Sequence, residues 1–110
     1  MPFLRFKGFE HDFVRQIAPE VILQIVRLAD VTEEKVKIEL VPIIRITDTP
    51  LSLEIYIFPR DQKKHDQIAA AMNQIFEDHG CIGVHIFFIL LNPELYYKNG
   101  MPLLTKQGTQ

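Results

Sequence analysis

The spacing of apolar residues changes in the same order twice along the chain, and this repetition constrains the fold more than any other feature. Alternating apolar and polar residues predict a strand, whereas apolar residues at steps of three and four predict an amphipathic helix. The predicted elements are a strand, a helix and a strand at 2–7, 10–29 and 36–46, and again at 51–58, 61–79 and 84–91. We therefore expect an internal duplication, with units at about 2–46 and 51–91, in a single domain spanning 1–110.

Proline, glycine and polar residues predict where several of these elements end. Pro19 lacks an amide donor and clashes with the preceding turn, so we expect a kink or a separate first turn, with the main helix starting at Pro19. Asp61 is the expected N-cap of the second helix, and Gly80 its expected stop. The second half of strand 36–46 and, apart from His85, strand 84–91 are apolar on both faces, which predicts that they are buried.

The predicted fold class is α/β (α+β). If the two strands of each unit lie parallel, the units form a four-stranded mixed sheet with two helices on one face. The strands that are apolar on both faces would then leave a hydrophobic patch on the uncovered face, larger than soluble monomers usually tolerate. We therefore expect a homo-oligomer in which the sheets of different copies face one another.

Composition excludes several classes of function. Fourteen acidic and twelve basic side chains give a formal net charge of −2, so the chain lacks the basic surface that nucleic acids require. The longest apolar run, Ile86 to Leu91, is far shorter than the roughly 20 residues that span a bilayer, and the first residues do not form a signal peptide. The single cysteine, Cys81, fits a reducing compartment. We expect a cytoplasmic protein with no nucleic-acid or membrane partner.

The first two residues have the clearest chemical consequence. Initiator methionine is normally removed when the next residue is small, and removal of Met1 would leave the secondary amine of Pro2 at the start of the chain. Apolar surroundings or a neighbouring cation disfavour the ammonium form of such an amine. In its neutral form the amine can take a proton from a carbon next to a carbonyl group. Many chains nevertheless begin with Met-Pro and have no such activity.

Several segments resemble the tautomerase superfamily of macrophage migration inhibitory factor and 4-oxalocrotonate tautomerase, and most closely an uncharacterised bacterial family within it. The resemblance covers nearly the whole chain and rests on the duplicated layout and on MPFLRF, KVKIELVP, IYIFPRDQKKHDQIA and YYKNG. It implies a homotrimer whose sheets line a central barrel, with Pro2 as general base in keto–enol transfer at a subunit boundary. It also implies that Arg60 binds a substrate carboxylate, a task that suits the forked guanidinium group.

The resemblance places His85 where the cytokine-like members have a tyrosine, and makes it an expected substrate-binding residue. Phe87 stands where those members have an asparagine, and Val31 where they have a lysine, so their substrates cannot be transferred to this chain. Tyr97 is expected to rim a pocket supplied by a neighbouring subunit. A second cation could come from a strand residue, although Arg5 lies on the face opposite Pro2 if the first strand is regular.

Three functions remain open at this point. The expected one is a keto–enol tautomerase that acts on a small 2-keto or enol acid and needs no cofactor. The spacing of His79, Cys81 and His85 is not a recognised zinc pattern, so no metal is expected. A catalytically silent trimer is consistent with Phe87 and Val31. A ferredoxin-like regulatory module that binds a small molecule would have the same order of elements.

Overall fold

Each strand–helix–strand unit forms two parallel strands joined by a helix. The computed structural model describes residues 2–103, in which both units share one sheet with the helices on one face. The strands are β1 (Phe3–Lys7), β2 (Lys37–Val41), β3 (Ser52–Ile57) and β4 (His85–Leu90), and the helices are α1 (His11–Ala29) and α2 (Gln62–Asp78). β1 is parallel to β2 and β3 to β4, while β1 and β3 run antiparallel at the centre.

The sheet order β2-β1-β3-β4 confirms the predicted four-stranded mixed sheet. In the ferredoxin-like fold the two parallel strands of each unit are separated by another strand. Here they are direct neighbours, so the ferredoxin-like arrangement is excluded despite the shared order of elements.

The core lies between the sheet and the two helices. Its central members are Leu4 and Phe6 of β1, Leu53, Ile55 and Ile57 of β3, Val14, Ile17, Val21 and Ile25 of α1, and Ile68, Met72, Ile75 and Phe76 of α2. Each helix therefore buries one stripe of apolar residues against the sheet, as the steps of three and four predict. Asp61 caps α2 as predicted, because its carboxylate accepts a hydrogen bond from the Lys64 amide at 2.9 Å.

The first helix does not break at its proline, which corrects the prediction that the main helix starts at Pro19. α1 is one helix from His11 to Ala29 with Pro19 inside it. Val14 and Ile17 before the proline and Val21 and Ile25 after it lie on the same buried stripe. Burial of this stripe along the whole helix outweighs the lost amide donor at one position.

The second strand is shorter than predicted. It ends at Val41, and residues 42–51 are irregular, with Ile44 89% exposed and Ile46 90% exposed instead of deeply buried. β1 ends at Lys7, so β2 has no further partner, and Pro42 has no amide to donate. Gly8 closes the pairing with a 3.0 Å hydrogen bond to the Val41 carbonyl at a φ of 87°, which favours glycine.

The face of the sheet away from the helices, here called the open face, is not the continuous apolar patch that the sequence predicts. The charged residues Arg5, Lys7, Glu39 and Glu54 occupy its middle, with ion pairs of 3.3 Å between Arg5 and Glu39 and 3.2 Å between Lys7 and Glu54. The prediction gave too much weight to β4, which is an edge strand and not a buried one: Phe87 is 49% exposed.

After β4 the chain forms a short hairpin that the sequence analysis did not predict. Its strands are β5 (Tyr97–Lys98) and β6 (Met101–Pro102), with Asn99 at a φ of 55° and Gly100 at 75° in the turn. Two-residue strands are too short to show an alternating pattern. Within residues 2–103, no helix is long and apolar enough to cross a bilayer.

Candidate functional site

Pro2 lies at one end of the sheet, immediately before the central strand β1. Its side chain is fully buried, and its carbonyl accepts a 2.9 Å hydrogen bond from the amide of Lys37. The next residue, Phe3, pairs with Lys37 on one side and Tyr56 on the other. The start of β1, the start of β2 and the end of β3 therefore meet here, and we call this the Pro2 end of the sheet. Met1 lies outside the described residues.

Arg60 follows β3 at the Pro2 end, but its side chain turns toward the helix layer. Nη1 donates to the Phe58 carbonyl at 2.7 Å, and Nη2 donates to the carbonyl of Ala29 at 3.0 Å. Ala29 is the last residue of α1, where main-chain carbonyls lack helical partners and a cation is favourable. Both terminal nitrogens of Arg60 are therefore used in joining the end of α1 to the segment after β3.

His65 contributes to this region and was missed by the sequence analysis. Its Nε2 accepts the Arg60 amide at 3.2 Å, its ring packs edge-on against Phe88 with centroids 4.5 Å apart, and its Nδ1 is buried without a partner within residues 2–103. The available signal was position, since His65 lies three residues before Ile68 on the buried stripe of α2. Because histidine is a polar residue, it is easily overlooked when the buried stripe is identified from apolar residues alone.

His85 and Tyr97 lie at opposite ends of the sheet, and only Tyr97 is at the Pro2 end. His85 begins β4 and pairs with Ser52, which pairs with Lys7, so it lies four residues along the strands from the row of Phe3, or about 13 Å. Tyr97 is exposed in the hairpin that follows the other end of β4, at the Pro2 end. Within one chain, Pro2, Arg60 and Tyr97 thus share an end of the sheet, and His85 lies at the opposite end.

A shallow pocket of about 340 Å³ opens on the open face at the Pro2 end, and it is lined by Phe3, Arg5, Glu39, Tyr56 and Leu91. The guanidinium carbon of Arg5 lies 5.9 Å from the centre of the Tyr56 ring. The Tyr56 hydroxyl beside the guanidinium, followed by the charges of Glu39 and Glu54, raises the pKa of Arg5. The sequence analysis named Arg5 only as one of several further cations. Because side chains alternate along a strand, the sequence predicts that Arg5 lies on the face opposite Pro2, and the structure confirms this.

Cys81 and the histidines form no metal site in the described part of the chain. No group of three or more histidine, cysteine, aspartate or glutamate residues there could hold an ion. Cys81 is partly buried, and this burial raises the pKa of its thiol. Because the thiolate is the nucleophilic form, the shift makes Cys81 less reactive.

Residues 1–102 match a protein family described as a domain of unknown function, DUF1904. A crystal structure of a DUF1904 domain from Sebaldella termitidis is 24% identical to this chain, with a TM-score of 0.83, over 92% of this chain and 98% of that one. No curated protein matches the chain.

Two further crystal structures share the fold at lower identity. A macrophage migration inhibitory factor-like protein from Entamoeba histolytica is 9% identical, with a TM-score of 0.71, over 91% of this chain and 96% of that one. The protein Pt0534, inactivated by 2-oxo-3-pentynoate, is 12% identical, with a TM-score of 0.68, over 91% of this chain and 92% of that one. These similarities confirm the expected tautomerase fold.

Proposed function

Because this chain belongs to the DUF1904 family and has the fold of the tautomerase superfamily, we propose that it is a keto–enol tautomerase that acts on small 2-keto or enol acids. The amine of Pro2, freed by removal of Met1, is the general base. The proposal includes a homotrimer, in which Tyr97 and the His85 of a neighbouring copy bind substrate, and the tautomerase resemblance assigns the substrate carboxylate to Arg60.

The observation that carries this proposal is the position of Pro2 at the start of a central strand. Its ring is fully buried, and apolar surroundings favour the neutral form of an amine, which accepts protons. Arg5, two residues beyond Phe3 on the open face, is a cation within reach of the same end of the sheet. The substrate class is supported by Pt0534, since the compound that inactivates it, 2-oxo-3-pentynoate, is a 2-keto acid.

The proposed keto–enol conversion proceeds by single proton transfers. The neutral amine of Pro2 takes a proton from the carbon next to the ketone, and the electron pair of that C–H bond forms the enolate. A guanidinium group stabilises the negative charge that develops on the enolate oxygen. The oxygen then takes a proton from water, and the Pro2 ammonium returns its own proton to solvent. The reverse sequence converts the enol to the ketone.

The first experiment measures the conversion of phenylpyruvate between enol and ketone. We expect the wild-type protein to be found by intact mass without Met1 and to be active, and Pro2→Ala to lower kcat by about a hundredfold or more, the usual contribution of a positioned general base. Inserting one alanine between Met1 and Pro2 keeps the proline ring but converts its amine to an amide, so this variant is expected to lose the same activity.

Pro50→Ala serves as the matched control, because Pro50 is exposed in the irregular segment between β2 and β3. It is expected to keep the wild-type rate. Equal rates in the wild type, Pro2→Ala and the alanine insertion would show that Pro2 is not the base. Complete retention of Met1 in a folded wild type would point instead to the catalytically silent assembly.

A further inference from the structure

We propose that Arg5, and not Arg60, binds the carboxylate of the small acid that this protein accepts, in the pocket of the open face at the Pro2 end. The inference rests on the proposed function for the class of ligand. It differs from the residue role implied by the tautomerase resemblance, which assigns the carboxylate to Arg60.

The first argument is that the two arginines differ in the use of their terminal nitrogens. Both terminal nitrogens of Arg60 donate to main-chain carbonyls, at 2.7 Å and 3.0 Å. Each of these nitrogens keeps a second N–H, but the two carbonyls hold the Arg60 guanidinium in the helix layer, away from the pocket of the open face. Within residues 2–103, no main-chain carbonyl holds the guanidinium group of Arg5, whose neighbours are the Tyr56 hydroxyl and the Glu39 carboxylate.

The second argument concerns charge. Arg5 lies between Glu39 on β2 and Glu54 on β3, with which it is in cross-strand register. Glu54 is already paired with Lys7 at 3.2 Å and accepts the Tyr56 hydroxyl at 3.2 Å. The nearest acid to Arg5 is Glu39, whose Oε1 lies 3.3 Å from the Nε atom. A guanidinium group has a second edge, formed by its two terminal nitrogens, which remains for a ligand carboxylate.

The third argument is the shape of the pocket. Its volume of about 340 Å³ lies at the lower end of the range for small-molecule sites, which suits a compact acid. Arg5 forms one wall, and the apolar side chains of Phe3 and Leu91 form another. Arg5 is three residues from Pro2 along the strand, or about 10 Å between backbones, so the pocket lies at the same end of the sheet as Pro2 although the Pro2 ring is buried on the helix side. The ligand class is therefore a 2-keto acid with an apolar substituent.

The test uses benzoylformate, a 2-keto acid with no hydrogen on the carbon next to its ketone. It cannot enolise, so its binding is measured independently of catalysis by Pro2. We expect wild-type protein to bind benzoylformate in an NMR titration, and Arg5→Gln to raise the Kd about tenfold or more, as expected for loss of a charge-assisted pair. Methyl benzoylformate, which lacks the charge, should bind wild type and Arg5→Gln equally. Arg5→Lys keeps the charge without the fork and should fall between them.

Glu39→Gln gives a change of opposite sign. Removing this acid frees the Nε edge of Arg5 and removes a repulsive charge, so benzoylformate should bind more tightly. A purely structural role for the cluster predicts that both substitutions weaken binding or leave it unchanged. Arg15→Gln is the matched control, because Arg15 is exposed on α1 across the sheet, and it should bind as wild type does.

Three results would overturn the proposal: no binding of benzoylformate to wild type, equal affinity of wild type and Arg5→Gln, or weaker binding by Glu39→Gln. If the Arg5→Gln protein does not fold, the proposal is judged by whether Glu39→Gln binds benzoylformate more tightly or more weakly than wild type. None of these results depends on turnover of phenylpyruvate. The role of Pro2 as base is therefore judged separately.

Discussion

Arg60 connects elements that are distant in sequence. Its guanidinium group spans the Phe58 carbonyl and the Ala29 carbonyl at the end of α1, and its amide donates to His65 on α2. One residue thus ties together the end of β3 and both helices at the Pro2 end. A cation at a helix C-terminus also interacts favourably with the helix dipole. Arg60 therefore stabilises the contacts between these elements, independently of any role in binding a ligand.

We predict that Arg60→Gln lowers the free energy of unfolding by about 1–2 kcal/mol, because two charge-assisted hydrogen bonds from a partly buried group are lost. Urea denaturation measures the change. Arg15→Gln on the exposed face of α1 is the comparison and should change the stability by about 0.5 kcal/mol or less. An Arg60→Gln protein as stable as wild type would show that these hydrogen bonds contribute no net stability.

At the scale of elements, α1 shows a conflict between local preference and tertiary packing. Proline in a helix interior removes the hydrogen bond to the carbonyl four residues earlier, here that of Arg15, and costs about 3 kcal/mol. The helix nevertheless continues, because its buried stripe runs along its whole length against the sheet. Pro19 itself is exposed and lies beside Ile22 and Leu23.

Pro19→Ala is expected to raise the free energy of unfolding by about 1–3 kcal/mol, because it restores an amide donor for the Arg15 carbonyl. Chemical denaturation with circular dichroism measures both the stability and the helix content. Pro50→Ala, outside any helix, should leave both unchanged. A less stable Pro19→Ala protein would mean that the backbone shape set by the proline is needed for α1 to fit the sheet.

The positions of the helices and strands could be predicted from the sequence more fully than the contacts between them. Local periodicity located both helices and all four strands of the main sheet, since each pattern depends on near neighbours in the chain. The end of β2 was not predictable, because it depends on where β1 stops. Whether the open face is charged or apolar depends on which strands lie at the centre of the sheet, and this order is not visible in local periodicity. The Arg5 pocket likewise needs Glu39 and Tyr56, which pairing alone brings beside Arg5.

At the scale of the whole molecule, the single chain exposes apolar groups around a charged open face. Ile44 and Ile46, about 90% exposed, project from the irregular segment between β2 and β3, and Phe87 is half exposed on the edge strand. Phe87 borders the charged middle of the sheet, since it pairs across the strands with Glu54, whereas Ile44 and Ile46 lie outside the sheet. Contacts between copies would therefore be apolar at the margins and polar in the middle. This is a different balance from the fully apolar interface that the sequence suggested.

We predict that the wild-type protein sediments as a trimer at micromolar concentration and that Ile44→Ser combined with Ile46→Ser shifts it to the monomer mass. The reason is that two nearly fully exposed isoleucines lose most of their hydrophobic contribution when they become serines. Leu23→Ser is the comparison, since Leu23 is 63% exposed on the helix layer, away from the sheet edges. A wild type that stays monomeric would refute the assembly, and an unaffected trimer would exclude the irregular segment from its contacts.

The antiparallel pairing of β1 with β3 relates the two units by an approximate twofold rotation centred between Arg5 and Glu54. That rotation carries Phe3 onto Ser52 and Lys37 onto His85, so both ends of the sheet have the same backbone layout. Pro2 precedes β1 at one end, and Leu51 precedes β3 at the other. The proposed amine base at Pro2 therefore has no counterpart at the opposite end, because the nitrogen of Leu51 belongs to a peptide bond with Pro50.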